Sequence, residues 1–231
     1  SFQTQVDSAI RNLDAVSVNI NYSNQSKTIL DNSFNLNISS NMLSAMSDLF
    51  ISLSGTELKA DQVNLYDFSG YVLEAGISTI VKKTDGSKDE WIEVARELEG
   101  KKVLTPPYCT REYTKTATYD QWFISLYRSF NNQYKRGVGV IETAKQCKSV
   151  FKSIITYKKK NHEDAASIYV FDSNGDLIYP YDISQEYKAA LQPYYELTKG
   201  DDSALTFISP LTGKTEYAAE AVSSYTGYTY L

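Results

Sequence analysis

The sequence predicts an α+β fold in which a long N-terminal helix precedes two tandem units, each built on an antiparallel sheet. Two observations support this fold class. A helical pattern without Pro or Gly covers the start of the chain, and a strand-turn-strand pattern then occurs twice. We assign residues 1–54 to the helix, 55–143 to a first unit and 144–231 to a second.

The helix is predicted from apolar residues that recur at steps of three and four. A continuous helix of about 50 residues would be about 75 Å long, which exceeds a compact domain of this size. Because residues 21–28 are polar, two helices separated by a break are the alternative. The apolar positions at the start are Phe2, Val6, Ile10, Leu13, Val16 and Ile20.

The two units follow with strands, helices and turns in similar order. In the first unit we predict strands 63–68 and 71–78, helix 89–100, an extended loop 101–120 and the strand pair 121–130 and 137–143. In the second we predict helix 144–160, strands 167–172 and 176–181, helix 184–200 broken at Pro193, and strands 203–211 and 215–231.

One loop of the second unit could be a metal loop or a turn. It runs from Asp172 to Asp176 with Gly175 inside, and both flanks are apolar. A helix-loop-helix calcium site needs its glycine at the sixth loop position rather than the fourth, and helices on both sides. Asn-Gly between strands instead favours a type I′ hairpin turn, so we predict a turn and no metal.

This hairpin also aligns with an earlier one, which predicts an internal repeat. Asp67 and Gly70 fall on Asp172 and Gly175, and 123-FIS-125 matches 207-FIS-209. In that alignment the first copy is longer, mostly between about 79 and 118. Because ligand sites often lie on added loops, residues 79–142 are where we expect a ligand.

Composition excludes several functions. The net charge of -5 and the pI of about 5.0 argue against nucleic-acid binding. No nucleophile-elbow, zinc-helix, phosphate-loop or dinucleotide motif occurs, so we predict no catalytic residue, no metal and no cofactor. A hydrolase or redox domain using Cys109, Cys147 and His162 is a less favoured alternative. No apolar run is long enough to span a bilayer. Because the sequence starts inside a helical pattern and stops on an apolar, β-prone stretch, we expect a domain excised from a longer protein.

Five segments together resemble the double Cache extracellular sensor domains of bacterial histidine kinases and chemoreceptors. The segments are 89-DEWIEVA-95, 104-LTPPY-108, 121-QWFISLYRS-129, 137-GVGVIE-142 and 168-IYVFDSNGDLIYP-180. The resemblance implies two PAS-like units outside the cytoplasmic membrane, flanking transmembrane helices in the parent protein, a Gram-positive source and a homodimer in the full-length receptor. It also implies a small-molecule ligand in the membrane-distal first unit, or alternatively sensing through a partner protein or dimerisation.

Family members that bind amino acids carry an Arg two places before a Trp-Tyr pair, then a Tyr and an Asp, and a last Asp at the end of a strand. Trp91 and Tyr108 match this pattern, and Glu142 lies near the last Asp. However, Asp89 replaces the Arg that would hold a ligand carboxylate, and Thr110 replaces an Asp. We therefore expect a sugar, nucleobase, amine or amino-acid derivative rather than an ordinary α-amino acid.

Strand alternation within 121–129 divides its side chains between two faces. We expect Trp122, Ile124 and Leu126 to pack on the long helix, and the mixed face with Ser125 and Tyr127 to line the pocket. Trp122 is nevertheless kept as a candidate because aromatic rings suit the expected ligands. The candidate ligand-binding residues are Trp91, Tyr108, Thr110, Trp122, Ser125, Tyr127 and Glu142.

Overall fold

The computed structural model describes residues 1–24, 26–27, 40–54, 58–113, 121–131, 137–162, 166–199 and 204–231. The chain divides into two compact units. The first unit comprises Arg11–Gln146, and the second comprises Ser1–Ile10 together with Cys147–Leu231. Both combine helices with antiparallel strands, as the sequence predicts.

The described residues at the start of the chain include the helices α1, Phe2–Tyr22, and α2, Ser40–Ser54. The predicted apolar positions of α1 from Val6 to Ile20 are at most 1% exposed. Whether α1 and α2 form one continuous helix depends on residues 28–39, which lie outside the described part of the chain. Among the described residues, no helix combines the length and apolar character needed to cross a bilayer.

The first unit is a seven-stranded antiparallel sheet with the order β3-β2-β1-β7-β6-β4, in which β5 also pairs with β6. One helix, α3 (Asp89–Glu97), precedes β4 and starts at the predicted residue. The strands are β1 Gln62–Asp67, β2 Tyr71–Gly76, β3 Ile80–Lys83, β4 Val103–Leu104, β5 Tyr108–Thr110, β6 Gln121–Asn131 and β7 Gly137–Gln146.

The two faces of this sheet have different partners. On one face, Arg128 Nε donates to Ser17 Oγ of α1 (3.1 Å), and Thr143 Oγ1 donates to the carbonyl of Leu13 (3.1 Å). Alternation places Ile124 and Leu126 on this face, so the apolar face of β6 packs on the helix as predicted. The opposite face, hereafter the pocket face, packs against α3 and the segment that contains β5.

The described residues of the second unit form four short helices and six strands. They are α4 Cys147–Val150, α5 Lys152–Asn161, β8 Val170–Phe171, β9 Leu177–Tyr179, α6 Gln185–Leu191, α7 Pro193–Leu197, β10 Ala204–Ile208, β11 Thr215–Ala219, β12 Ala221–Val222 and β13 Thr229–Tyr230.

Two predictions for this unit are corrected and one is confirmed. The helix does not begin at residue 144, because β7 continues its pairing with β6 through Gln146. Strands β8 and β9 are shorter than predicted. The break at Pro193 is confirmed, and the proline is the first residue of α7, where its missing N–H costs no helical hydrogen bond.

The Asp172–Asp176 loop is a turn, as predicted. Asp172 Oδ1 accepts the backbone N–H groups of Asn174 and Asp176, both at 2.9 Å. No group of residues suited to hold a metal ion occurs in the described part of the chain. The turn type was wrong, however, because Gly175 has positive φ (88°) but Asn174 does not. Instead, the Gly175 N–H donates to the carbonyl of Asp172 (3.0 Å), and a separate register shift lies between Val170 and Phe171 of β8.

The repeat holds for the hairpins but not for the FIS match. Asp67 Oδ1 accepts from the backbone of Ser69 and Tyr71, as Asp172 does in the second unit. Hairpin β1–β2 adjoins β7, and hairpin β8–β9 adjoins β13. In contrast, β6 pairs with β7 within the seven-stranded sheet, while β10 pairs with β11 in a separate sheet of the described residues. A three-residue identity was too short to fix an alignment, so the length comparison based on it also fails.

Candidate functional site

A cavity of about 260 Å³ opens over the pocket face of the first unit. Four of the candidate residues line it: Trp91 from α3, Tyr108 and Thr110 from β5, and Tyr127 from β6. The remaining lining residues are Ser87, Lys88, Thr105, Pro106, Cys109 and Glu112.

Glu142 lies beneath this cavity as a fully buried carboxylate on β7. Its Oε2 accepts hydrogen bonds from the Tyr66 hydroxyl (2.6 Å) and Asn64 Nδ2 (2.9 Å). Its Oε1 accepts from Ser125 Oγ (2.6 Å), Tyr108 (3.2 Å) and Tyr113 (3.3 Å). A buried carboxylate is tolerated only when such donors replace its lost hydration.

Glu142 is ionised at neutral pH. Burial alone would raise its pKa, but the Lys88 ammonium and the hydrogen bonds from Ser125, Tyr66 and Asn64 outweigh this effect and hold the pKa of Glu142 below its ordinary value. The site therefore has a fixed negative charge at its centre.

Lys88 supplies the cation nearest to this charge. Its Nζ lies 3.4 Å from Glu142 Oε1 and 3.8 Å from Glu112 Oε2. The same nitrogen is 4.8 Å from the centre of the Tyr108 ring and 5.6 Å from that of Tyr113, within the range of cation–π attraction.

The ion pairs continue as a series of alternating charges from the sheet edge to the pocket centre. Lys82 Nζ lies 2.8 Å from Glu74 Oε1 and 3.1 Å from Glu112 Oε1, and Glu112 and Glu142 then flank Lys88. Among the described residues of this series, three carboxylates thus face two ammonium groups, an excess of one negative charge.

Aromatic rings form the wall of the cavity. Trp91 stacks on Tyr127 with ring centres 6.2 Å apart, and Tyr127 stacks on Tyr66 at 6.4 Å. Burial, followed by the charge of Glu142, raises the pKa values of Tyr66, Tyr108, Tyr113 and Tyr127 well above the ordinary tyrosine range. These hydroxyls therefore stay protonated and remain hydrogen-bond donors.

Of the seven candidate residues, six gather at this site. Ser125 and Glu142 lie beneath the four that line the cavity. Trp122 does not belong to the site: alternation places it on the face of Ile124 and Leu126, and it is not among the lining residues. This corrects its inclusion among the candidates.

Sequence reasoning missed other members of the site. Asn64 and Tyr66 were treated as ordinary strand residues, and Tyr113 as part of a loop. Lys88 had a usable signal, because it occupies the N-cap position of α3 without making a side-chain cap. That position favours Ser, Thr, Asp or Asn, and a cation there opposes the helix dipole.

The second unit has a larger cavity, about 700 Å³, with its own tyrosine–serine–glutamate contact. The Tyr194 hydroxyl lies 2.8 Å from Ser209 Oγ and donates to Glu216 Oε2 at 3.3 Å. Glu216 is half-buried. Among the lining residues of this cavity, no Lys or Arg occurs.

The structure does not support a catalytic role for Cys109 or Cys147. Burial raises the pKa of the Cys147 thiol far above its ordinary value, so it remains protonated and a poor nucleophile. Cys109 is exposed at the margin of the first cavity.

No protein-family model matches the chain, and no curated protein sequence does. Solved structures do match. The sensory domain of the Campylobacter jejuni chemoreceptor Tlp3 with isoleucine bound aligns over 99% of this chain and 87% of that one, with 13% identity and a TM-score of 0.59. The periplasmic sensory domain of Tlp1 from the same organism aligns over 99% and 88%, with 14% identity and a TM-score of 0.61.

A third similar structure is the ligand-binding domain of the Pseudomonas aeruginosa amino acid chemoreceptor PctC in complex with GABA. It aligns over 99% of this chain and 92% of that one, with 8% identity and a TM-score of 0.61. These alignments confirm the double Cache fold that the resemblance predicts.

Proposed function

We propose that this chain is the extracytoplasmic sensing domain of a bacterial transmembrane receptor and binds a small molecule in the cavity of the first unit. The observation that carries the proposal is the ionised, fully buried Glu142 beneath an aromatic-walled cavity. Perturbed ionisable groups in a cleft are typical of functional sites. The similarity to chemoreceptor sensory domains supports the same conclusion.

The ligand carries a positively charged nitrogen. The series of ion pairs around the cavity has one excess negative charge, and aromatic faces attract cations. Among the ligand classes expected from sequence, this favours an amine or an amino-acid derivative over a sugar or nucleobase. Ammonium groups also occur in the isoleucine and GABA bound by the similar domains.

The ligand is also small. Pockets for drug-sized molecules have volumes of roughly 300–1,000 Å³, and this cavity of about 260 Å³ lies just below that range. A molecule of the size of a free amino acid or a short amine fits it.

The parent protein would be held in the membrane by flanking helices, with either a histidine kinase or a chemoreceptor output. Glu142 on the pocket face and Arg128 on the α1 face belong to neighbouring strands of one sheet. A ligand that binds one arrangement of this sheet better than another would shift the population of α1 positions.

The test is thermal unfolding with a panel of amines, amino acids, sugars and nucleobases. Cations should stabilise the protein by about 2.7 kcal/mol when present at about 100 times their Kd, while neutral sugars should not. Glu142→Gln should remove this stabilisation, and Glu216→Gln in the second unit is the matched control. If no cation stabilises the wild type, or if Glu142→Gln responds equally, the proposed site is wrong. Sensing through a partner protein or dimerisation would then be favoured.

A further inference from the structure

Lys88 occupies the position that a ligand cation is expected to take. Its ammonium is hydrogen-bonded to Glu142 Oε1 (3.4 Å) and to the Tyr113 hydroxyl (3.3 Å), and lies over the Tyr108 ring. A carboxylate combined with aromatic faces is the arrangement that proteins use to bind ammonium groups. The Lys88 side chain is only 14% exposed.

Lys88 also has a second carboxylate within reach, that of Glu112. Glu112 Oε2 lies 3.8 Å from its Nζ, and the Glu112 side chain lines the cavity and is 24% exposed, whereas that of Glu142 is 0% exposed. A lysine ammonium on its four-carbon stem can move by a few ångströms while it stays paired. Movement from Glu142 to Glu112 would free Oε1 without leaving a buried lysine unpaired.

We infer that Lys88 is a tethered competitor for the ligand, a specificity-determining residue that sets how strongly a cation must bind in order to be sensed. The inference depends on the proposed cation site. A ligand ammonium must displace the Lys88 ammonium from Glu142, so weakly bound amines are rejected and only ligands with further contacts in the cavity compete.

Removal of the competitor should tighten binding. If Lys88 occupies the Glu142 site about 90% of the time, Lys88→Met lowers the apparent Kd of any cationic ligand about tenfold. Lys82→Met is the matched control, because it removes the same charge from the same series of ion pairs, but Lys82 does not contact Glu142. A general electrostatic effect would appear in both variants, whereas competition appears only in Lys88→Met.

The experiment is calorimetric titration of isobutylamine and L-valine, which differ only in the carboxylate, into the wild type and both variants. Competition predicts tighter binding of both probes to Lys88→Met. If instead Lys88 binds a ligand carboxylate, valine will bind Lys88→Met more weakly than the wild type while isobutylamine will not, and the inference is overturned. Lys88→Gln serves if Lys88→Met does not fold, with the same expected direction.

The two proposals fail in different ways. If probes bind the wild type, but Lys88→Met binds them no more tightly than Lys82→Met does, the competitor role is overturned and the cation site stands. If neither probe binds the wild type or any Lys88 variant, the cation site itself is wrong and the competitor role fails with it.

Discussion

Each unit contains a tyrosine–serine–glutamate cluster. The two clusters differ in the burial of the glutamate and in its other partners. The hydroxyl–hydroxyl distances are nearly equal, 2.7 Å for Tyr108 and Ser125 and 2.8 Å for Tyr194 and Ser209. In the first unit, Glu142 is fully buried and has a lysine partner. In the second, half-buried Glu216 accepts hydrogen bonds from Tyr194 and Thr212, both at 3.3 Å.

The difference indicates which features distinguish a candidate ligand-binding glutamate from one that is only hydrogen-bonded. Burial makes the charge of Glu142 strong, since it is not screened by water. In our proposal, the aromatic walls and a movable Lys88 then make the site selective for cations. Glu216 remains in contact with solvent and stabilises a local fold, so the second cluster is a natural control for the first.

Removal of the glutamate should give the largest effect. Glu142→Ala leaves Lys88 and several buried hydroxyls without their partner, which should cost about 3–5 kcal/mol. Glu216→Ala should cost about 1 kcal/mol or less. Urea unfolding followed by circular dichroism reports both units. Tryptophan fluorescence identifies the transition of the first unit, because both Trp91 and Trp122 belong to it. Equal losses of stability in the two variants would show that burial does not distinguish the clusters.

Removal of the tyrosine hydroxyl should give the next largest effect. Tyr108→Phe removes a hydrogen bond to the fully buried carboxylate of Glu142 and should cost about 1.5–3 kcal/mol. Tyr194→Phe removes one to the half-buried Glu216, whose charge is screened by water, and should cost about 1 kcal/mol. Calorimetric unfolding of both variants checks this order. A larger loss from Tyr194→Phe would contradict it.

The dependence of stability on acidic pH should also reveal the contribution of the buried Glu142 charge. The pKa of Glu142 is lower in the folded protein than its ordinary value of 4.5. Its contribution to stability is therefore fully present above about pH 4.5 and is lost as the pH falls through the folded pKa. We expect the stability of the wild type to fall more steeply than that of Glu142→Gln below that pH, in unfolding curves at a series of pH values. Identical slopes would mean that the Glu142 pKa is not lowered.

Replacement of the two tryptophans should affect ligand binding differently, and one of the two replacements should have no effect on it. Trp91→Ala should abolish the stabilisation by a cationic ligand, because the Trp91 ring lines the cavity. Trp122→Ala should leave it unchanged, because that residue lies on the other face of β6. The measurement is the thermal shift of each variant with and without ligand. Loss of this shift in Trp122→Ala would show that the proposed site is in the wrong place.

Periodicity predicted the parts of the fold that depend on local burial. Side-chain spacing predicted the apolar stripe of α1 and the two faces of β6. Backbone chemistry predicted the start of α3 at Asp89 and the break at Pro193. The FIS match failed because strand partners depend on contacts distant in sequence, which a three-residue identity does not specify.

Sequence reasoning named part of the candidate site and missed several residues that contact Glu142. Trp91, Tyr108 and Glu142 followed from the family resemblance, and Ser125 from strand alternation. Asn64 and Tyr66 meet Glu142 only because β1 pairs with β7, which places Asn64 opposite Glu142. Lys88 reaches the pocket through a side-chain conformation that no sequence pattern specifies.

The central claim is that the first unit binds a ligand cation at Glu142. The most direct test is a crystal structure with the most stabilising cation from the thermal screen. We predict the ligand nitrogen about 3 Å from a Glu142 carboxylate oxygen, with the Lys88 ammonium moved towards Glu112. A ligand bound beside Glu216 in the second unit, or bound in the first cavity with its nitrogen away from Glu142, would contradict the claim.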